Sequence, residues 1–299
     1  MRDKRRADIN PSLISHPSSL IYEIFSGIQG EGPLVGERQV FVRFCTCNLR
    51  CRYCDTRAAR RAVRRARLEV SPGSRRFEYA ANPLSLDAVL STVHRLDDPH
   101  GLHHSASLTG GEPLLHAGFL RLLMRALHHI GLKTYLETNG TLPQMLAKVI
   151  HHVDYVAMDV KLPSATGQRE RYKAHREFLA IAAQKECVVK VIVTSQTDET
   201  EMRIVGKLVR EANRSAVVVL QPATPVGRGV QPTVVKAAPY DLTIDHVSNF
   251  LECVRSRKLS YGDVLIGHRS AQASHLGNIS YVQKRRLDFD LIREEIMPF

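Results

Sequence analysis

The sequence predicts an α/β protein built as a partial, open barrel of about six parallel strands, and three observations carry that expectation. Six short β-branched runs alternate with stretches of helical character along most of the chain. Alternation of this kind gives a parallel sheet with right-handed crossovers. Six strands are too few to close an eight-stranded barrel, and the polar motifs fall at or just after strand ends, the rim on which such folds carry their sites.

In order, the runs are Gln39–Phe44, Ser105–Thr109, Lys133–Glu137, Tyr155–Lys161, Val188–Thr194 and Ala216–Leu220. Between them lie the helical candidates. Ser85–Leu96 opens on a Ser-Leu-Asp start signal, and Ala117–Ile130 has leucines at helical spacing and stops before Gly131. Leu142–His151, Arg169–Lys185 and Asp198–Asn213 follow. Residues 1–20 are expected to form a loose basic arm, 21–225 the barrel, and 226–299 a C-terminal extension.

The chain has 299 residues, 43% of them hydrophobic, which suits a packed core. No apolar run approaches the roughly 18–20 residues of a membrane span. The basic N-terminus lacks an apolar stretch of the secretory kind, so a cytoplasmic setting is expected. The net charge of +12 comes from 42 Lys+Arg against 30 Asp+Glu. Arg57, Arg60, Arg61, Arg64, Arg65 and Arg67 crowd one stretch, with Arg75 and Arg76 soon after. This reads as a solvated, Arg-rich peripheral insertion over 57–83. Attraction of an anionic substrate or of a cofactor carboxylate is the second reading. Nucleic-acid binding is not expected, because no recognised motif accompanies the charge and aromatics are few.

Four of the six cysteines, Cys45, Cys47, Cys51 and Cys54, fall within ten residues; Cys187 and Cys253 stand apart and read as core. Crowding in a long chain favours metal or redox chemistry over a disulfide framework. Cys47-Asn-Leu-Arg-Cys51-Arg-Tyr-Cys54 has the spacing CxxxCxxC. Thiolates are the usual ligands of iron–sulfur clusters, and three cysteines leave one iron of a 4Fe–4S cube open. Zinc is the competing reading, but zinc prefers four ligands in paired spacings. Cys45 is expected to end its strand as a buried thiol.

This loop resembles the signature of the radical S-adenosylmethionine (SAM) superfamily. The resemblance implies that the open iron chelates the amino and carboxylate groups of SAM. Electron transfer from the cluster would then release a 5′-deoxyadenosyl radical. Tyr53 matches the aromatic expected near the adenine. Leu108-Thr-Gly-Gly-Glu-Pro113 is similar to the family's GGEP motif, which places Gly110, Gly111 and Glu112 at the SAM amino group. Glu137-Thr-Asn-Gly-Thr141 and Val160-Lys161 resemble the third- and fourth-strand segments, which implies SAM contacts by Thr138, Asn139 and Lys161. Ser195 and Gln221 complete the implied set.

Tyr22-Glu-Ile-Phe-Ser-Gly-Ile-Gln-Gly-Glu-Gly32 precedes the first predicted strand. With Phe41-Val-Arg43 and Cys54-Asp-Thr56 it resembles the 7-carboxy-7-deazaguanine synthases, which make the deazapurine core of queuosine. The resemblance implies a lyase acting on 6-carboxy-5,6,7,8-tetrahydropterin. Hydrogen would be taken from C6, the ring would contract, hydrogen would return and ammonia would leave. It further implies Mg2+ held by Thr56, and a pterin gripped by Gln29, Glu31, Gly32, Arg43 and Thr109. An external electron donor such as flavodoxin and a homodimer also come with the family. The family ends in a Pro-Gln-x-His segment; here residues 264–277 read differently, and His268 or His275 stands nearest to that position. A glycyl-radical activase would share the cysteine loop and Gly110–Glu112 without needing residues 29–32 or Thr56. A metal-containing nucleic-acid-binding protein is the more distant rival.

Overall fold

The computed structural model describes residues 17–212, 216–223, 289–290 and 295–296. In chain order the first strands are β1 (Ser18–Ser19), β2 (Ile21–Ile28), β3 (Arg38–Phe44), β4 (Arg65–Glu69), β5 (Phe77–Ala81) and β6 (Leu84–Ser85). Next come α1 (Leu86–Leu96), β7 (Ser105–Gly110), α2 (Ala117–His129), β8 (Lys133–Thr138), α3 (Pro143–Ala147) and β9 (Tyr155–Val160). The unit closes with α4 (Pro163–Thr166), α5 (Tyr172–Ala182), β10 (Glu186–Val193), α6 (Glu199–Ala212) and β11 (Val217–Pro222). The chain divides into two compact units, Met1–Val230 and Gln231–Phe299. In the second, Phe289–Asp290 pairs antiparallel with Glu295–Ile296.

The main sheet has nine strands in the order β11-β10-β9-β8-β7-β3-β2-β4-β5. The run from β3 through β7, β8, β9 and β10 to β11 is parallel throughout, the six strands expected from the sequence. Its two ends, β11 and β5, do not meet, so the barrel is open. Register fixes which side chains share a face. Val40, Val42, Phe44, Ala106 and Leu108 are fully buried and form the core with Val89, Val93 and Leu96 of α1 and Leu120, Leu123, Met124 and Leu127 of α2. On the opposite, concave face stand Gln39, Arg43, Ser105, Ser107, Thr109 and Glu137. The start signal of the first helix holds: the Ser85 hydroxyl accepts from the Ala88 amide at 3.2 Å.

The structure differs from the sequence expectation in three places. Residues 21–28, to which the sequence reading assigns no element, form a strand antiparallel to β3, so the Gln29–Gly32 segment is the tip of a hairpin. The basic stretch is not peripheral: β4 pairs with β2, and β5 pairs with β4, extending the sheet. Its Glu69 is 1% exposed and accepts the amides of Ser26 and Arg75, both at 2.8 Å. The N-terminal arm ends before Ser18, because β1 pairs antiparallel with β6. Residues 1–16 lie outside the described residues.

A Ser26–His103–Asp97 chain ties the hairpin to the loop before β7. The Ser26 hydroxyl meets His103 Nε2 at 2.8 Å, and His103 Nδ1 meets Asp97 Oδ1 at 3.0 Å. All three are buried, and Arg38 Nε donates to the same hydroxyl, so the Ser26 proton points to His103. The arrangement is a clamp, not a nucleophile open to substrate.

Candidate functional site

The three cysteines of the predicted cluster leave β3 in one loop. Cys45 is fully buried at the strand end, and burial raises its thiol above the usual range. Thr46 then adopts φ +69°, a left-handed turn that sends the chain into the loop. Cys51 is buried, while Cys47 and Cys54 are partly exposed. Cys47 Sγ accepts from the Leu49 amide at 3.4 Å and lies 3.9 Å from Asn139 Nδ2. The Arg52 amide donates to Thr166 O at 3.1 Å. The Gln168 carboxamide, turned with its oxygen to the loop, accepts from the amides of Arg50 and Cys51 at 3.1 and 3.3 Å. Burial pushes the Cys47 thiol up to about 11 and raises Cys51; bound iron reverses that preference, since a coordinating thiol is deprotonated outright. Among the described residues no three His, Cys, Asp or Glu side chains converge closely enough to hold a single ion. A cuboidal cluster asks for something else: each thiolate takes a different iron. Three thiols on one short loop suit that.

The Gly110–Glu112 segment supports this loop. Gly110 has φ +135°, and a Cβ there would lie 2.3 Å from Phe44 O. A Cβ on Gly111 would lie 1.9 Å from Thr46 O. The Gly111 amide donates to Phe44 O and the Glu112 amide to Thr46 O, at 3.0 and 2.8 Å. The glycines therefore admit protein backbone, not only ligand. The direct ammonium contact expected of the Glu112 side chain has no room. It is 0% exposed, and its oxygens accept from Thr138 Oγ1 (2.8 Å), the Asn139 amide (2.8 Å) and the Leu114 amide (3.1 Å). Burial pushes its carboxyl up to about 7. Thr138 is likewise turned inward, and Asn139 spends its amide on Asn48 Oδ1 at 2.8 Å. These residues knit the ends of β7 and β8 to the cysteine loop.

Lys161, after β9, pairs with Asp159 at 2.8 Å and sits 5.2 Å from the Tyr53 ring centre. Burial alone would lower its ammonium, but Asp159 and Tyr53 outweigh that and hold it well above the usual range. Two predicted SAM contacts carry orphaned buried oxygens, Tyr53 Oη and Gln221 Oε1, which have no hydrogen-bond partner among the described residues. Such atoms cost free energy unless a ligand or water meets them, so they fit a polar cofactor. Ser195 is exposed in the turn after β10. Thr56 stands at the end of the loop, its hydroxyl on Asp55 Oδ1 at 3.0 Å.

The hairpin tip crosses the concave face. Gln29 is 4% exposed; its Nε2 donates to Gln39 Oε1 (3.0 Å) and Glu137 Oε1 (2.9 Å). Ser107 and Thr109 hydroxyls also donate to the Glu137 carboxylate, each at 2.9 Å. Glu31 reaches farther, to Lys190 on β10 and to Gln221 Nε2 on β11 at 2.8 Å. A cavity there is lined by Gln29, Glu31, Gly32, Glu137 and Lys190, with Tyr135 and Val188 as walls. Gln29, Glu31, Gly32 and Thr109 are thus brought together. Arg43 stands beside Thr109 in register, on the same face, with its Nε on Glu23 at 3.0 Å. His268 lies outside the described residues, as does His275. Sequence reasoning missed Lys190 and gave Glu137 only as part of a SAM-contacting segment, without a role of its own. A lysine inside Val188-Val-Lys-Val-Ile-Val was the available signal, because a charge within an apolar strand needs a partner. Burial lowers the Lys190 ammonium, but Asp159 and Glu31 outweigh this and keep it protonated.

Behind the site His175 on α5 is 0% exposed, and neither ring nitrogen meets a partner at full hydrogen-bond geometry among the described residues, though the Asn139 backbone lies near enough to act on the ring. Burial pushes it down from 6.5 to about 4, with Lys161 acting in the same sense. The folded value lies below the unfolded one, so between these pH values the unfolded chain binds more protons. Stability is therefore lost as pH falls through that window, by roughly 3 kcal/mol from this residue. Urea midpoints at several pH values will show it: His175→Leu should flatten the acid side of the profile, and an unchanged profile would refute the assignment.

Comparisons with known proteins agree with this geometry. The family model of the radical SAM superfamily matches residues 41–201. The 7-carboxy-7-deazaguanine synthase of Geobacter sulfurreducens is 41% identical over 222 residues, covering 73% of this chain and 88% of that protein. That of Thermococcus kodakarensis is 37% identical over 219 residues, covering 69% and 85%. The crystal structure of QueE from Escherichia coli superposes with a TM-score of 0.50 at 21% identity, covering 69% of this chain and 85% of that one, and supports the fold.

Proposed function

The chain belongs to the radical SAM superfamily and, within it, to the 7-carboxy-7-deazaguanine synthases, and on that premise we propose that it converts 6-carboxy-5,6,7,8-tetrahydropterin to 7-carboxy-7-deazaguanine and ammonia. The observation that carries the reading is the polar cavity of Gln29, Glu31, Glu137 and Lys190, on the barrel face whose strand ends hold the cysteine loop. Membership of the superfamily brings a 4Fe–4S cluster and SAM, and Cys47, Cys51 and Cys54 are the residues that would hold the cluster. Bound there, cluster and SAM would supply the radical chemistry that removes a hydrogen atom from the substrate.

The chain's own residues bind, orient and shield. Arg43 offers its guanidinium to the substrate carboxylate, a match of planar fork to planar anion. Glu137 collects three donors, from Gln29, Ser107 and Thr109, and so fixes the side chains that frame the pterin. Lys190 stays protonated at Nζ and serves as a donor, not a base. Tyr53, Lys161 and Gln221 are the SAM contacts this reading keeps, with Ser195 at the rim. Gly110, Gly111, Glu112, Thr138 and Asn139 act by shaping the loop, and Gly32 by lining the cavity. His268 is kept as a further substrate contact.

Magnesium, an external one-electron donor such as flavodoxin, a homodimer and a cytoplasmic setting belong to the same reading. No helix among the described residues is long and apolar enough to cross a membrane. Thr56 is the proposed magnesium ligand, an oxygen donor of the kind that metal prefers. Thr56→Ala should raise the magnesium needed for half-maximal turnover about tenfold, the effect of losing one good contact. Cleavage of SAM without substrate should be unchanged. Turnover that ignores both chelation and the substitution would remove magnesium from the account.

A further inference from the structure

The basic insertion has no part in the reaction as described so far, yet its register places one arginine beside the substrate face. Glu23 on β2 lies opposite Arg43 on β3 and, on its other side, opposite Arg67 on β4. Three neighbouring strands thus present Arg43, Glu23 and Arg67 in a row on one face. The carboxylate is divided between them: Oε1 takes Arg43 Nε at 3.0 Å and Oε2 takes Arg67 Nη1 at 3.3 Å. Both guanidiniums lie over aromatic rings. Arg67 is 4.2 Å from the centre of Phe77 on β5, and Arg43 is 5.9 Å from that of Phe25, which itself stacks on Phe41 at 4.9 Å.

An isolated Arg43–Glu23 pair would be neutral, and its carboxylate would compete with any anionic ligand for the same fork. Sharing Glu23 with a second cation changes both features. Two positive charges then face one negative charge, and Glu23 is held on the Nε edge of Arg43, leaving its two terminal nitrogens to a carboxylate. We propose that Arg67, carried by the insertion, is a positioning residue for anion recognition: through Glu23 it orients Arg43 and leaves the trio a surplus positive charge for the carboxylate of the substrate. The inference rests on the reading of Arg43 as the partner of that carboxylate.

The test uses the full chain with its cluster and SAM, titrated with two fluorescent pterins, 6-carboxypterin and pterin without the carboxylate. Arg67→Met should weaken 6-carboxypterin about tenfold and leave pterin unchanged, with Arg67→Lys restoring most of the loss. With the tetrahydropterin acid, KM should rise while kcat stays within about twofold, the pattern of lost binding that is common to ground and transition state. Phe77→Leu, which keeps the charge and removes the stack, should give the same pattern more weakly. An unchanged preference for the acid in Arg67→Met overturns the proposal. So does an equal loss for both pterins, or a fall in thermal midpoint that Arg67→Lys does not repair, since either marks a merely structural strand residue. If the wild-type protein itself binds both pterins alike, the substrate reading fails and takes this inference with it.

Discussion

Gly111→Ala is expected to give a protein that no longer incorporates iron and cleaves no SAM. The added methyl would sit 1.9 Å from Thr46 O and 2.5 Å from Thr46 C, with Ala59 O at 3.0 Å on another side. None of these is the end of a flexible side chain. Thr46 already holds a left-handed φ of +69°, so it cannot retreat without moving Cys47 beside it. Overpacking of this kind costs about 3 kcal/mol. The loss should fall on the loop, because the amides of Gly111 and Glu112 are what hold Phe44 and Thr46 in place. Gly118→Ala is the matched control. That glycine lies in the first turn of α2 with nothing near its Cβ position. It should gain about 1 kcal/mol, the helical advantage of alanine. Iron content and thermal midpoint measured on both variants decide the matter; an iron-replete Gly111→Ala would show that the close approach does not control the loop.

Lys190→Met should cut deazapurine formation sharply while sparing cleavage of SAM. Lys190 pairs with Glu31 and lies 3.8 Å from Asp159 Oδ1. Removing the cation leaves Glu31 without its ion pair and Asp159 with Lys161 alone. Breaking a fully buried pair costs roughly 3–5 kcal/mol. Here the lysine side chain is 21% exposed and Glu31 39%, so water shares the burden and about 2 kcal/mol is expected. The larger effect is on the site. Glu31 would lose its anchor, and with it the hairpin tip that also carries Gln29. Product formation should fall by about two orders of magnitude, the scale seen when a positioned charge is removed from a reacting complex. Product formed at the wild-type rate would remove Lys190 from the site.

Much of this was legible in the sequence, for a physical reason. A parallel strand covered on both sides is a nearly continuous apolar run, and the six runs stood out between helices with one apolar stripe. Strands β4 and β5 were not legible. In Arg65-Ala-Arg-Leu-Glu69 the alternation is present, but arginines occupy the outward positions and read as a solvated tract. Only the register with Glu23 and the stack on Phe77 show how a strand tolerates them. The hairpin strand before Gln29 was masked by the motif it carries.

The site divides in the same way. Cys47, Cys51, Cys54 and the glycine pair declare themselves by spacing, because a cluster loop is local. Glu112, Thr138 and Asn139 are different. Which donors meet the Glu112 carboxylate depends on which strand ends the fold brings together, and no spacing along the chain encodes that. Lys190 and Glu31 are separated by most of the unit, and their pairing depends on how far the hairpin tip reaches across the concave face.

The most direct test of the central claim is a single-turnover assay on the anaerobically reconstituted protein. It would be given SAM, magnesium, a reductant and 6-carboxy-5,6,7,8-tetrahydropterin, and its products weighed by mass spectrometry. The account predicts 7-carboxy-7-deazaguanine, absent in Cys51→Ala. If 5′-deoxyadenosine appears but no deazapurine forms, the radical chemistry stands and the proposed substrate is contradicted.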